Sequence, residues 1–243
     1  MPVTGDSTTR PKDRSGVARG HGEEFAKFND TIYFHDSDSV WVNQFIPSVL
    51  EWKEKEFGLR QETSFPEQQG TTLIVKASSP QRRIVFVRVT GWTVPGGSVR
   101  INGRELEAFA EPGSYLSLTR EWRDGDKIEV SLPMQLTSEP LAGDPSTRAA
   151  LYGPLVLATN MGPGPEGAPL RIGNDDPWAK AAHLPPAEPN PVGRGSEVGD
   201  WMEVVSAKDL SFKSRGTNVL AVKPMYRITD EKYAVYWSTE EKS

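Results

Sequence analysis

Asp124-Gly-Asp-Lys-Ile-Glu-Val-Ser-Leu132 opens on a tight-turn pair and then alternates polar and apolar residues without a break. A strict period of two marks a half-buried strand, so Ile128, Val130 and Leu132 point inward while Lys127 and Glu129 face water. The same signature spreads in both directions. Tyr115 to Thr119 alternates, and Ser98 to Leu106 is a hairpin with Asn102-Gly103 at its tip. Asn-Gly suits that tip because both central residues of a type I′ turn need positive φ. Pro95-Gly96-Gly97 makes a further turn. Ile84 to Val89 is apolar nearly throughout and predicts a central strand covered on both faces. Leu59 to Phe65 predicts a polar strand stopped by Pro66, and Thr71 to Lys76 another. Ile32, Phe34, Val40, Val42 and Phe45 mark strands around the turn His35 to Ser39. Downstream, Arg148 to Thr159 predicts one closing strand around Gly153-Pro154. Further strands follow at Met202–Val205, Leu210–Phe212, Val219–Val222 and Tyr233–Trp237. Short strands at regular spacing, separated by turn signals, predict a mainly β fold: an antiparallel β-sandwich with a smaller C-terminal β element. Glu23 to Phe28 predicts a short N-terminal helix.

Bulk composition agrees. The 243 residues hold 22 Gly, 20 Pro and only 36% apolar residues, which favours turns and short strands over long helices. Seven Trp, six Tyr and nine Phe supply the volume to fill a sandwich core. A net charge of -5 leaves no basic field for nucleic acid. No apolar run reaches the roughly 18 residues that span a bilayer. The first twenty residues carry Arg10, Lys12, Arg14 and Arg19 without an apolar core, so they are no secretory signal and predict a disordered tail over 1–20. Residues 161–200 hold eight prolines from Pro163 to Pro191 and many glycines, which predicts a linker or surface wrap pinned at Trp178 and Leu184. Compartment is left open.

No constellation in the chain assembles into an assigned site. Cysteine is absent, which removes disulfides and Cys-ligated metals. Glu23 and Glu24 are adjacent, so on a helix they diverge by about 100° and do not flank one bond. Asp36 and Asp38 sit in a turn, where carboxylates accept backbone N–H groups. His21, His35 and His183 are far apart and predict solvated side chains rather than a metal site. Arg120 to Asp126 predicts a strand end with a buried Trp122 and a structured turn. Trp92 has the same reading, with sugar stacking as its alternative. Tyr233 and Trp237 are expected to share one strand face and Tyr236 the other. Catalytic, cofactor-binding and metal-ligating residues are therefore assigned to none of the side chains.

Several stretches, in order, resemble the C-terminal half of glycoside hydrolase family 127, the β-L-arabinofuranosidase-like proteins of bacteria. They are Asn-Asp-Thr-Ile-Tyr-Phe at 29–34, Val-Asn-Gln-Phe-Ile-Pro-Ser at 42–48 and Gln-Glu-Thr-Ser-Phe-Pro at 61–66. Gly91-Trp92 and Val-Arg-Ile-Asn-Gly at 99–103 come next. Gly-Ser-Tyr-Leu at 113–116, Arg-Glu-Trp-Arg-Asp-Gly-Asp at 120–126 and Leu-Pro-Met at 132–134 form the most recognisable block. Tyr-Gly-Pro-Leu-Val-Leu-Ala at 152–158, Pro-Met-Tyr-Arg-Ile at 224–228 and Tyr-Ala-Val-Tyr-Trp at 233–237 complete the series.

The resemblance implies an N-terminal (α/α)6 barrel that carries the active site, with a cysteine nucleophile in a zinc site of cysteines plus a glutamate, and a separate glutamate as acid/base. That pattern departs here. The Glu-rich helix is present as Glu23 to Lys27, but the segment before it reads Gly16-Val-Ala-Arg-Gly-His-Gly22 where the family has a Cys-Cys pair. Codons for Cys-Cys-Thr-Gly, read one base late, can give Val17-Ala18-Arg19-Gly20, so a slipped reading frame or a truncation is expected, with an unrelated disordered tail as the alternative. Residues 21–39 are then a remnant of the helical domain, 40–160 the middle β-sandwich, 161–200 the wrap and 201–243 C-terminal strands. The expected function is a non-catalytic β-sandwich portion of a family 127-like hydrolase, inert alone, without the family zinc. Its partners would be a helical catalytic domain encoded upstream and, as an alternative, a plant glycan bound by a carbohydrate-binding module. A residual carboxylate-dependent glycosidase is the third reading.

Overall fold

The structure, a computed structural model, describes residues 28–107, 109–163, 190–195, 197–229 and 231–240. The expectations for the 1–20 tail, the helix over Glu23 to Lys27, His21, His183, Trp178 and Leu184 lie outside the described residues. The described chain is mainly β.

Two sheets face each other over the first core. One has four strands in the order β1 (Tyr33–His35), β2 (Ser39–Val42), β6 (Gln81–Val89), β9 (Ser114–Trp122). The other has six, in the order β3 (Ser48–Trp52), β4 (Phe57–Glu62), β5 (Gly70–Ala77), β10 (Lys127–Ser131), β7 (Ser98–Ile101), β8 (Arg104–Glu105). Ile128, Val130 and Leu132 are buried as their alternation requires, and meet Val85, Val87 and Leu59 in one cluster. Trp122 closes this cluster, fully buried, with its indole N–H donating to the Arg83 carbonyl at 3.2 Å. Asn102 and Gly103 form the hairpin tip at φ 52° and 79°, the left-handed values that this turn demands.

The second core gathers β11 (Leu136–Leu141), β12 (Asp144–Tyr152), β13 (Leu155–Pro163), β14 (Val192–Arg194), β15 (Met202–Ser206), β16 (Ser211–Ser214), β17 (Ala221–Pro224), β18 (Glu231–Ala234) and β19 (Tyr236–Glu240). A short helix, α1 (Val198–Trp201), caps it and delivers Trp201 to the interior. Trp201 and Trp237 pack at 5.2 Å beside Leu157, Phe212 and Val222. Among the described residues, pairing is antiparallel except for β2 with β6 and β14 with β19.

Four expectations need correction. Arg148 to Thr159 is no single strand: Gly153 at φ 55° and Pro154 reverse the chain, so β12 and β13 form a hairpin. β13 then leaves β12 after Val156 to pair with β17 and β18. The first core ends at Leu132 and the second begins at Met134, so the strands after 134 do not share the sandwich that was expected to run to residue 160. The C-terminal element accordingly has a core of its own, smaller than the first. Tyr233 and Trp237 do not share a face, because the strand breaks at Val235. Tyr233 pairs with β13 and is exposed, whereas Trp237 pairs with β12 and is buried. Finally, β6 is fully covered on one face only. Val85, Val87 and Val89 are buried, but Ile84 and Phe86 on the other face keep partial access to water.

β17 and β18 both pair with β13, and Lys223 of one binds Glu231 of the other. The Lys223 ammonium, then the Thr229 N–H, hold the Glu231 carboxyl at about 2 against an ordinary 4.5. A carboxyl depressed on folding stabilises fully above its unfolded value, and that contribution disappears as pH falls through the folded value. Acid should therefore loosen this corner between about pH 4.5 and about 2. In thermal melts across that window, Glu231→Gln should lose less stability than the parent; parallel curves would remove Glu231 from the explanation.

Candidate functional site

The residues singled out in the sequence do not converge. His35 is exposed and lies 4.6 Å from the Trp52 ring. The Asp36 carboxylate accepts the backbone N–H groups of Asp38 and Ser39 at 2.9 and 2.7 Å, which holds it below the usual carboxylate range. Asp38 instead accepts the Ser37 hydroxyl and faces Arg83 at 3.7 Å. Among the described residues no group of three or more His, Cys, Asp or Glu side chains is placed to hold a metal.

Arg120 to Asp126 is a structural knot. Asp126 accepts from the Arg123 N–H at 2.9 Å and the Asn102 amide at 2.8 Å, and Asn102 in turn accepts the Lys127 N–H. Burial pushes the Asp126 carboxyl up, but the Asn102 and Arg123 hydrogen bonds and the nearby Arg120 and Arg123 charges outweigh it and hold it down. The knot ties the hairpin tip to the β9–β10 turn. Trp122, with no accessible face, cannot stack on a sugar.

Three surfaces stand out by their aromatic or apolar lining. The joint between the two cores is built on the segment Phe65 to Gln69. Phe65 stacks on Trp92 at 5.6 Å, and both rings pack against both cores. Gln69 accepts the Met134 N–H at 2.8 Å and donates to the Tyr152 hydroxyl at 3.0 Å. Glu67 accepts the Tyr226 hydroxyl at 2.6 Å and faces Arg227 at 3.6 Å, chiefly the first of which keeps its carboxyl low. Beside this joint, Ile46, Phe65 and Trp92 line a small depression of about 330 Å3. Trp92 thus serves packing first.

The second surface is the outer face of the four-stranded sheet. Phe34, Trp41 and Phe86 lie directly opposite one another across β1, β2 and β6. Since Val40, Val42, Val85 and Val87 point to the core, these rings point away from it. Trp41 and Phe86 stack at 4.8 Å and 10°. Tyr115 and Arg88 extend the row, both donating to the Asn43 side-chain oxygen. The third is a groove of about 720 Å3 in the nine-stranded sheet region around the second core, lined among others by Val192, Arg194, Asn218, Leu220 and Trp237. Sequence patterning gave no sign of it, because its residues come from strands and a loop far apart in the chain.

Residues 39–134, which comprise most of the first core, match the family model for the β-L-arabinofuranosidase GH127 middle domain. Over that stretch the chain is similar to a GH127 middle domain. The GH127 likeness extends in fold to the second core. A crystal structure of a GH127 β-L-arabinofuranosidase from Geobacillus stearothermophilus T6 superposes over 92% of this chain and 37% of its own, with a TM-score of 0.59 at 19% identity. A glycoside hydrolase matches over 98% of this chain and 43% of its own, with a TM-score of 0.65 at 15% identity. A GH127 β-arabinofuranosidase matches over 86% and 36%, with a TM-score of 0.57 at 17% identity. The chain therefore spans less than half the length of each of these structures. No curated protein matches it. The zinc site of cysteines and glutamate that the resemblance implies does not fit the residues here. The donor thiolates are missing from all 243 positions, and no three-donor cluster forms among the described residues.

Proposed function

We propose that this chain is the non-catalytic β portion of a GH127-type hydrolase, inert on its own, whose role is to brace a helical catalytic portion. One observation carries the reading: a stretch similar to a GH127 middle domain stands in a chain with no cysteine, so the thiolate chemistry implied by the resemblance has no nucleophile. The outer face of the four-stranded sheet supports the bracing role. Phe34 is 46% exposed in its aromatic row, and such a row is more apolar than a free sheet face needs to be. The backbone enters this sheet beside the same face: Asn43 and Gln44 hold Thr31 by hydrogen bonds, immediately before β1. Thr31 is thus held at the edge of the aromatic row.

The carboxylate-dependent glycosidase has less support. Asp200 and Glu240 both line the groove beside the second core, but Asp200 belongs to the capping box of α1 and accepts the Glu197 N–H at 3.3 Å. Incubation of the purified chain with an aryl β-L-arabinofuranoside, with and without added zinc, should give release no faster than buffer. Sustained turnover that co-purifies with the chain and falls in Glu240→Gln would overturn the non-catalytic reading.

A further inference from the structure

The groove beside the second core opens between the β14–β19 edge and the loop from β16 to β17. At about 720 Å3 it lies in the size range of small-molecule sites. Val192 and Leu220 give it apolar walls, with the buried Trp237 behind them. Arg194 and Glu240 stand side by side as register partners of the parallel β14–β19 pair, and Asn218 is supplied by the loop. All three polar side chains are exposed. Next to Trp237, the Trp201 indole N–H is buried with no hydrogen-bond partner among the described residues. Gly193 leaves that ring its space, since a Cβ there would come within 2.8 Å of the indole.

We infer that this groove binds a neutral saccharide. Arg194 only donates, Glu240 only accepts, and the Asn218 amide does both. Neighbouring sugar hydroxyls need that mixture, and the C–H face of the ring suits the apolar walls. Charge decides against ionic ligands. An anion drawn to Arg194 would meet Glu240 and Asp200, and a cation would meet Arg194 and Arg215. The aromatic row of the first sandwich is the poorer sugar platform. Trp41 and Phe86 stack on each other and so cover one face of each ring. The inference goes beyond the bracing role and does not depend on it.

Titration of the full chain with arabinotriose and xylotriose, followed by calorimetry and by backbone amide NMR, tests the site. Saturable binding of a neutral trisaccharide below about 10 mM is expected, in the affinity range of weak ligands. Arg194→Ala and Asn218→Ala, both at exposed positions, should each weaken it on the order of tenfold while the circular dichroism spectrum is unchanged. Phe34→Ser on the outer sheet face should leave it as it was. A trimer of galacturonic acid should bind more weakly than its neutral counterparts. The inference is overturned by the absence of saturable binding, by groove variants that bind as the parent does, by loss of binding in Phe34→Ser, or by preference for the acidic trimer. Hydrolysis plays no part in these readouts, so failure here leaves the bracing role to its own assay.

Discussion

Replacing Trp122 by Ala should cost about 3–5 kcal/mol, a large share of the 5–15 kcal/mol that usually holds a domain together. The indole is 0% exposed at the end of β9, where it plugs one end of the first core. Its N–H also satisfies the Arg83 carbonyl, and the Arg120 guanidinium lies 5.2 Å over the ring. Alanine therefore removes packing, a hydrogen bond and a cation–π contact together, and leaves a cavity that β9 and β6 cannot close without breaking their register. Trp122→Phe separates these contributions, since it keeps most of the volume and loses the donor. Urea unfolding should place the phenylalanine variant between parent and alanine. An alanine variant within about 1 kcal/mol of the parent would mean that this end of the core collapses around the loss.

The strands of the first sandwich were legible because each has one wet face. Lys127 to Leu132 alternates cleanly, and its inward set is the buried set. Asn102-Gly103 was legible for the same local reason, a backbone conformation that few residue pairs accept. Features decided by distant partners were not. Tyr233 to Trp237 carries aromatic residues on a strand-like spacing, yet the chain steps from β13 to β12 at Val235, and no local pattern encodes which neighbour waits on either side. The hairpin at Gly153-Pro154 was punctuated in the sequence, but the apolar residues on both sides read as one run. The parallel pairing of β2 with β6 is equally silent, since 45 residues separate their partners.

The candidate surfaces divide in the same way. The absence of cysteine is written in the composition and removes one chemistry outright. The Asp36 turn and the buried Trp122 were local readings, and both appear in the structure. The groove was invisible. Arg194 and Glu240 are neighbours only because β14 lies parallel to β19, and Asn218 reaches them from another loop. The aromatic row of Phe34, Trp41 and Phe86 likewise needs the register of three strands before it exists.

Trp237→Ala should be as costly, again about 3–5 kcal/mol, but its damage should stay around the second core. Trp237 is 2% exposed and sits on β19, which joins β12 to β14; its ring packs on Trp201. Losing it weakens both pairings and the seat of α1. The first sandwich is linked to this region through Phe65, Trp92, Gln69 and the Glu67 contacts to Tyr226 and Arg227. Glu67 and Tyr226 are largely exposed and hold weakly, so most of the linkage rests on two half-buried rings and one glutamine. Each region keeps its own closed apolar cluster, and the loss at Trp237 exceeds what that joint can transmit. Hydrogen exchange read by mass spectrometry should therefore accelerate over residues 136–162 and 198–240 while 39–132 stays near parent rates. Uniform acceleration across both regions would instead make the joint as strong as the cores, and the two regions a single cooperative unit.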